Sequence, residues 1–428
     1  MGQLIRFGRC ALTIYVIANL LPCAAGCAVE RPIRYDLQTN YSVHDPQFAR
    51  VMDSLLGPQL ISGNSIHTLL NGDEIFPAML DSIRAAKKTI TFETFIYWKG
   101  SIGDTFTEAF AQRASAGVKV HVLIDAIGSD KIDQSYLKRL KSAGVEVQEY
   151  HAFHPYDPAS WGQLDHRTHR KIMVVDGRTG YIGGVGIADE WLGNGVTPGQ
   201  WRDNHYRVEG PVVAQLQAAF LDNWMQSTGK VLDRDVYFPH LESAGHDYAQ
   251  VFRSSSQGGS ENVQLMLMLS LSAAGKNIRM ETAYFVPDDL TINTLVQARR
   301  RGVSVQIIVP GRHIDTQFVR SASRARWGKL LRAGVQIYEY PRTMFHCKQL
   351  IVDDLWVSIG SANIDNRSFR LNDEANLNVL DAKFAAGQIK VFDADRSKAH
   401  PITYEQWRRR PVGEQISDEF WSLFGWEL

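Results

Sequence analysis

The chain has 428 residues, 44% of them hydrophobic and 21% charged, which excludes a disordered or multi-span membrane protein and is long enough for two ordinary domains. Lysine plus arginine and aspartate plus glutamate are equal at 46 each, so no global basic field recruits nucleic acid, and only a local basic groove would revive that partner. Cys10, Cys23 and Cys27 cluster near the start and Cys347 stands alone, which excludes a disulfide framework and a zinc spacing.

Residues 1–27 carry Arg6 and Arg9, then an apolar run from Ala11 to Ala25 broken at Asn19 and Pro22. This is the pattern of an export signal, too short and interrupted for a full membrane span. Ala24-Ala25-Gly26-Cys27 resembles a bacterial lipobox with Ala where Leu is usual three positions before the cysteine. Lipidation at Cys27, cleavage, and retention as an anchor are the three outcomes; each implies export to the bacterial cell envelope, and the first and last imply membrane association through this segment. Residues 28–55 show no strong period and read as a linker.

Helices and strands then alternate. Asp73–Ala86 predicts an amphipathic helix leading into a strand at Thr89–Thr94. A helix over Thr105–Ala116 feeds a strand at Val118–Ile124, and a further helix ending at Ala143-Gly144 precedes a strand at Val145–Tyr150. The plan returns later: residues 273–282 mirror 85–94, residues 301–305 mirror 116–120, and residues 333–340 mirror 143–150. Blocks recurring in order at a nearly constant offset mark an internal duplication. Alternating helices and apolar strands imply two α/β domains, each a mixed sheet covered by helices. The expected division is 56–245 and 246–428.

Each half carries one copy of a motif. His169-Arg170-Lys171 is followed by four residues, Asp176, six more, and Gly183-Gly184-Val185-Gly186; His346-Cys347-Lys348 is followed by four residues, Asp353, six more, and Gly360-Ser361-Ala362-Asn363. Histidine and lysine two apart on a strand point to one face, while Cys347 faces the other way as a small buried side chain. Asp176 and Asp353, each at the end of an apolar run, read as turn or strand-end carboxylates.

The glycine pairs let backbone approach something bulky. Amides at Gly184 and Ser361, with Asn363, are candidate donors to an anionic oxygen. A lone histidine is most often a satisfied core residue; the repeat changes that reading. Two copies about a pseudo-two-fold axis bring two imidazoles and two ammonium groups to one interface. Near neutral pH one imidazole can attack phosphorus while the other gives a proton, with the lysines holding phosphate oxygens. No carboxylate cluster points to a catalytic metal, and no cofactor is expected. An attacking imidazole needs an orienting acceptor, and Glu374 and its counterpart Asp203, each on the segment after a motif, suit that role.

These residues resemble the phospholipase D superfamily, whose signature is the two-copy histidine–lysine–aspartate motif, over nearly all of residues 60–428. Phe95-Ile96-Tyr97-Trp98, Glu281–Asp288 and Ser361–Phe369 are similar to bacterial cardiolipin synthases. The resemblance implies phosphatidyl transfer between phospholipids without a metal, through a phosphohistidine. It makes His169 and His346 nucleophile and general acid, by family habit in that order, and groups Lys171, Lys348, Asp176 and Asp353 with them. Three features depart from the pattern. Gly186 stands where the family has Asn, Ala283 where the synthases commonly carry Pro, and one signal-like segment replaces the paired transmembrane helices of some synthases. A phospholipase D-type hydrolase or nuclease of the same fold, and a non-catalytic lipid-binding protein, are the alternatives.

The expected partners are a phospholipid substrate and a membrane surface. The aromatic loop Phe153–Trp161 reads as an interfacial loop or a packed cover over the site. Arg320, Arg324, Arg326, Lys329 and Arg332 read as a solvated basic face, with attraction to anionic lipid second. Ile416–Trp426 reads as a small amphipathic helix serving domain packing.

Overall fold

The computed structural model describes residues 35, 37, 39–152, 156, 163, 165–255 and 262–425. The expectations for residues 1–27, and for the loop at 153–161 apart from a fully exposed Tyr156, lie outside them. In chain order the elements are α1 (Pro46–Leu56), β1 (Ile61–Leu70), α2 (Asn71–Ala85), β2 (Thr89–Thr94), α3 (Ser101–Ser115), β3 (Lys119–Asp125), α4 (Gln134–Ser142), β4 (Glu146–Tyr150), β5 (Ile172–Val175), β6 (Thr179–Gly183), β7 (Asn204–Glu209) and α5 (Val213–Thr228). The second series is β8 (Asp247–Ser254), α6 (Asn262–Ser272), β9 (Asn277–Thr282), α7 (Asp289–Arg300), β10 (Ser304–Pro310), α8 (Gln317–Arg332), β11 (Gln336–Tyr340), β12 (Lys348–Val352), β13 (Trp356–Gly360), β14 (Glu374–Leu380), α9 (Ala382–Arg396), β15 (His400–Ile402), α10 (Tyr404–Arg408) and α11 (Val412–Ser422).

The strands form one fifteen-stranded sheet in the order β15-β11-β10-β9-β12-β13-β14-β8-β1-β7-β6-β5-β2-β3-β4. Read outward from the central β8–β1 pair, both halves repeat one order: β8-β14-β13-β12-β9-β10-β11 and β1-β7-β6-β5-β2-β3-β4. β2, β3 and β4 run parallel, as do β9, β10 and β11, and the other neighbours are antiparallel. Helices cover the sheet, and the expected duplicated α/β architecture with a pseudo-two-fold axis is the architecture observed. Antiparallel pairing of β1 with β8 joins the halves.

The apolar cores follow the predicted periodicity. Ile90 and Phe92 of β2, Val120 and Val122 of β3 and Met173 of β5 turn one face toward α2 and α3, where they meet Ile75, Met79, Phe106 and Phe110. A second cluster runs through the centre of the sheet and joins Val174, Ile182 and Val208 of the first half to Ile351, Ile359 and Leu377 of the second. The core crosses the axis without a break.

The linker expected at 28–55 is corrected by α1. Asp45 caps that helix by accepting from the Gln47 amide at 2.8 Å, and Pro46 opens it. Phe48 and Met52 are fully buried, and the Phe48 ring meets Trp356 of β13 edge-on at 4.9 Å. The basic face is corrected too. Arg320 pairs with Glu339, Arg324 with Glu414, Arg326 with Asp289, and Arg332 donates to Tyr404, so four of the five cations are engaged by the protein. Lys329 lines an open groove with Arg299 and Arg300. Among the described residues no helix is long and apolar enough to cross a membrane.

Candidate active site

His169 and Lys171 sit just before β5, His346 sits just before β12, whose first residue is Lys348, and both histidines are buried, His169 7% and His346 4% exposed. Short parallel bridges tie each to the other half. The His169 amide donates to the Asp373 carbonyl at 2.9 Å, and the His346 amide to the Arg202 carbonyl at 2.8 Å. These bridges set Glu374 beside His169 and Asp203 beside His346. His169 Nδ1 lies 3.0 Å from both Glu374 oxygens, and His346 Nδ1 lies 2.7 Å from Asp203 Oδ2. The two acids are thus exchanged across the axis, each serving the imidazole of the opposite motif.

Both carboxylates are themselves held. Ser361 Oγ and Ser368 Oγ donate to Glu374, the latter at 2.7 Å. Trp191 Nε1 donates to Asp203 Oδ2 at 3.0 Å, and the Asn204 amide to Oδ1 at 2.8 Å. Trp191, Trp201 and Tyr284 pack around the His346 ring at 5.4, 5.2 and 6.1 Å, and Phe95 around that of His169 at 5.3 Å. Lys348 Nζ donates to the His346 carbonyl at 2.9 Å and stands 3.2 Å from its ring, and Lys171 Nζ donates to the His169 carbonyl at 2.6 Å.

Burial dominates the electrostatics. It lowers His169 to about 4 and His346 to about 3, with neighbouring lysines adding to the effect and the paired acids opposing it. Burial and the neighbouring Lys348 bring Lys171 down to about 7, and Lys348 is also lowered, chiefly by burial. Burial pushes Glu374 and Asp203 up, but His169, Lys171 and Ser361 around Glu374, and His346, Lys348 and Trp191 around Asp203, together outweigh it and hold both ionised. At neutral pH the two imidazoles are therefore neutral and stand between ionised carboxylates and lysines. That arrangement suits a nucleophilic ring nitrogen and an anionic substrate.

Other residues singled out in the sequence stand elsewhere. Asp176 accepts the amides of Lys87, Lys88 and Thr89, and Asp353 those of Gly275, Lys276 and Asn277. Both adopt left-handed backbone at φ 52° and 50°. At about 3.3 Å per residue, Asp353 lies about 16 Å along the chain from Lys348. Each carboxylate staples the strand entry next to it, away from the histidines.

Ser361 spends its hydroxyl on Glu374 and its amide on the Ala375 carbonyl. Gly184 donates its amide to the Asn204 carbonyl at 3.2 Å and backs onto the Asp203 carboxylate, where a side chain would collide. The glycines thus admit the neighbouring strand and its acid. Asn363 keeps an unpaired buried Oδ1 and lines a small cavity with Lys348 and Glu281. At Gly186 a Cβ would come within 2.8 Å of Ile96 Cβ, so the half-sites differ in shape as well as in donors.

Cys347 is buried and faces away from the site, with Glu281 and Asp395, as the one trio of possible metal ligands among the described residues. The Arg202 guanidinium already occupies Asp395, at 2.6 Å from Oδ2. The sequence reading missed Ser368, Trp191 and Arg202. Ser368 lies six positions before the Glu374 it donates to, and Arg202 directly precedes Asp203, to whose carbonyl its guanidinium donates at 2.7 Å.

The protein matches the family described as cardiolipin synthase, phospholipase D-like domain, twice, at residues 79–219 and 267–396. It is 33% identical over 382 residues to cardiolipin synthase 2 of Bacillus anthracis, covering 89% of this chain and 74% of that protein. It is 34% identical over 370 residues to cardiolipin synthase A of Pseudomonas fluorescens, covering 86% and 76%. In fold it is similar to the crystal structure of phosphatidylserine synthase from Haemophilus influenzae, with a TM-score of 0.67 at 15% identity, covering 89% of this chain and all of that one. Each of the two matched stretches contains one histidine–lysine pair, and with identity of this order across most of its length the chain belongs to the cardiolipin synthase family of phospholipase D-like enzymes.

Proposed function

We propose that the protein transfers a phosphatidyl group from one phospholipid to the hydroxyl of another, with phosphatidylglycerol as substrate and cardiolipin as product. The observation that carries this reading is the exchanged pairing: two buried imidazoles, each fixed at Nδ1 by an acid of the other half, with two lysines beside them. Nδ1–H donation to the acid leaves Nε2 free to act. One imidazole attacks phosphorus through Nε2; the P–N bond forms and the P–O bond to the leaving glycerol breaks. The second imidazole gives its proton to that alkoxide. In the return step it takes the proton of the acceptor hydroxyl, whose oxygen attacks phosphorus and expels the first imidazole.

Lys171 and Lys348 balance the phosphate charge, Asn363 adds a donor, and Glu374 and Asp203 orient the rings. The negative charge of a bound phosphodiester raises the affinity of the imidazoles for the one proton the cycle needs. His169 is assigned as nucleophile and His346 as general acid, on the order the family follows. The halves correspond to residues 56–245 and 246–428, a division supported by the repeated strand order. Membrane attachment through residues 1–27 is supported by Arg6, Arg9 and the apolar run after them.

The test is product analysis. The purified chain is incubated with phosphatidylglycerol in detergent micelles, with cardiolipin and released glycerol as the expected products. Phosphatidic acid alone would make water the acceptor and the protein a hydrolase. His169→Ala and His346→Ala are each expected to abolish turnover in a folded protein, and near-normal rates in both would sink the shared-site mechanism.

A further inference from the structure

Helix α11 is built the wrong way round for a packing helix. A surface helix ordinarily turns its apolar stripe to the core. Here the inward side carries Asp418, 1% exposed, which takes Arg410 Nε at 2.8 Å, and next to it Glu414 takes Arg324 at 2.6 Å. Trp421 adds one apolar anchor, its ring 5.3 Å from Phe318 and packed in a cluster with Val286, Val319 and Ala322. The outward side carries Val412, Ile416, Phe420 and Leu423, exposed at 70%, 66%, 52% and 72%. Steps of four, four and three place them on one face. Ten large apolar side chains stand exposed among the described residues, and four of them are on this helix or, for Leu423, at its C-cap, which sets the stripe apart from scattered background.

The stripe leads to the active site. The Gly425 carbonyl, just past Leu423, accepts from Asn366 Nδ2 at 2.6 Å, and Asn366 follows the site residue Asn363 by three positions. Val286, whose Cγ1 lies 3.7 Å from where a Gly425 Cβ would be, continues the segment whose Tyr284 packs on His346. From that rim the stripe runs back about 16 Å along the helix. Its exposed area is about 450 Å², roughly half of what each partner of a stable dimer buries. A lipid surface has no such minimum, because each apolar side chain of a helix lying in its plane enters the acyl boundary by itself.

We infer that α11 is the surface on which the enzyme rests on a phospholipid bilayer, laying these four side chains into the acyl boundary so that the rim beside Asn366 meets the head groups. The inference deepens the proposed function and rests on its phospholipid substrate.

Two measurements on the full chain test it. Hydroxyl-radical footprinting follows oxidation of Phe420 and Leu423 with and without vesicles of phosphatidylglycerol and phosphatidylethanolamine; vesicles are expected to cut it at least threefold. Rates of the double variant Ile416→Glu/Leu423→Glu are then compared on vesicles and on monomeric short-chain phosphatidylglycerol. A loss of at least tenfold on vesicles is expected, with less than twofold on the soluble lipid. Equal losses on both substrates, or no loss on vesicles, would overturn the inference. Protection already present without vesicles and lost on dilution would overturn it in favour of a second copy. Turnover of phosphatidylglycerol with no protection by vesicles would refute the docking face while leaving the proposed reaction standing. Protection by vesicles with no lipid turnover would do the reverse.

Discussion

Replacing Glu374 by Gln removes one charge from the site and almost no volume. Glu374 has both oxygens 3.0 Å from His169 Nδ1 and accepts from Ser361 and Ser368. An amide keeps one acceptor oxygen and adds an NH₂ that must itself donate. Wherever the NH₂ faces Nδ1, the imidazole proton is driven to Nε2, where it blocks attack on phosphorus. The charge loss alone can be sized. A carboxylate about 4 Å from the imidazolium centre, at an effective dielectric constant of about 20, stabilises it by about 4 kcal/mol. That corresponds to about 10³-fold in rate, and the wrong tautomer extends the loss toward about 10⁴-fold. Because Glu374 reaches the reaction through His169, kcat is expected to fall while KM moves by less than a few-fold. The assay is steady-state and single-turnover formation of cardiolipin from phosphatidylglycerol, beside a thermal melt showing that the variant is folded. A variant within tenfold of wild type, or one whose loss lies wholly in KM, would refute the positioning role.

Asp176→Ala is expected to lower stability by about 3 kcal/mol, from three lost amide acceptors and a left-handed backbone that Asp tolerates better than Ala, with kcat per folded molecule kept within about threefold. Denaturant melts and active-site-normalised rates check it, and unchanged stability with a thousandfold loss of kcat would restore a catalytic aspartate. Phe48→Ala is expected to cost about 3–4 kcal/mol by opening a cavity against Trp356, read as a lower denaturation midpoint; no change would mean that α1 is dispensable. The pH profile of kcat/KM is expected to fall with rising pH, because the general acid has to take up a proton that burial keeps off His346, and to fall more steeply above about pH 7, as Lys171 loses its charge. Bound phosphodiester stabilises the charged lysine, so the alkaline limb of kcat lies at higher pH. A kcat/KM still rising at pH 9 would contradict this assignment.

The strand at Thr89–Thr94 and both motif strands were legible because β-branched and apolar runs there are bounded by turn residues and appear twice. Helix α1 was not read, although Asp45-Pro46 is a start signal and Phe48, Met52 and Leu56 follow at helical spacing. The helix is only three turns long, and what stabilises it is Trp356, some three hundred positions away. Both acids were found, but not their exchange. Sequence order sets Asp203 nearer His169 and Glu374 nearer His346, and only the parallel bridges at Thr168 and Arg202 reverse that. Ser361 and Gly184 were read as phosphate donors because a glycine-rich turn looks alike whether it approaches a ligand or a neighbouring carboxylate. The basic stretch of α8 reads as a solvated face because its partners, Asp289, Glu339, Tyr404 and Glu414, come from four separate segments.

The path through the sheet from the strand after His169 to the strand bearing Lys348 crosses β6, β7, β1, β8, β14 and β13, with ladder hydrogen bonds at every step. The two catalytic halves are therefore welded edge to edge, and no interdomain hinge lies between the imidazoles. Substrate cannot be admitted by swinging one half away from the other, nor product expelled that way. Traffic has to pass through the loops around the histidines, so changes in those loops should set the rate of product release while the spacing of the two rings stays constant.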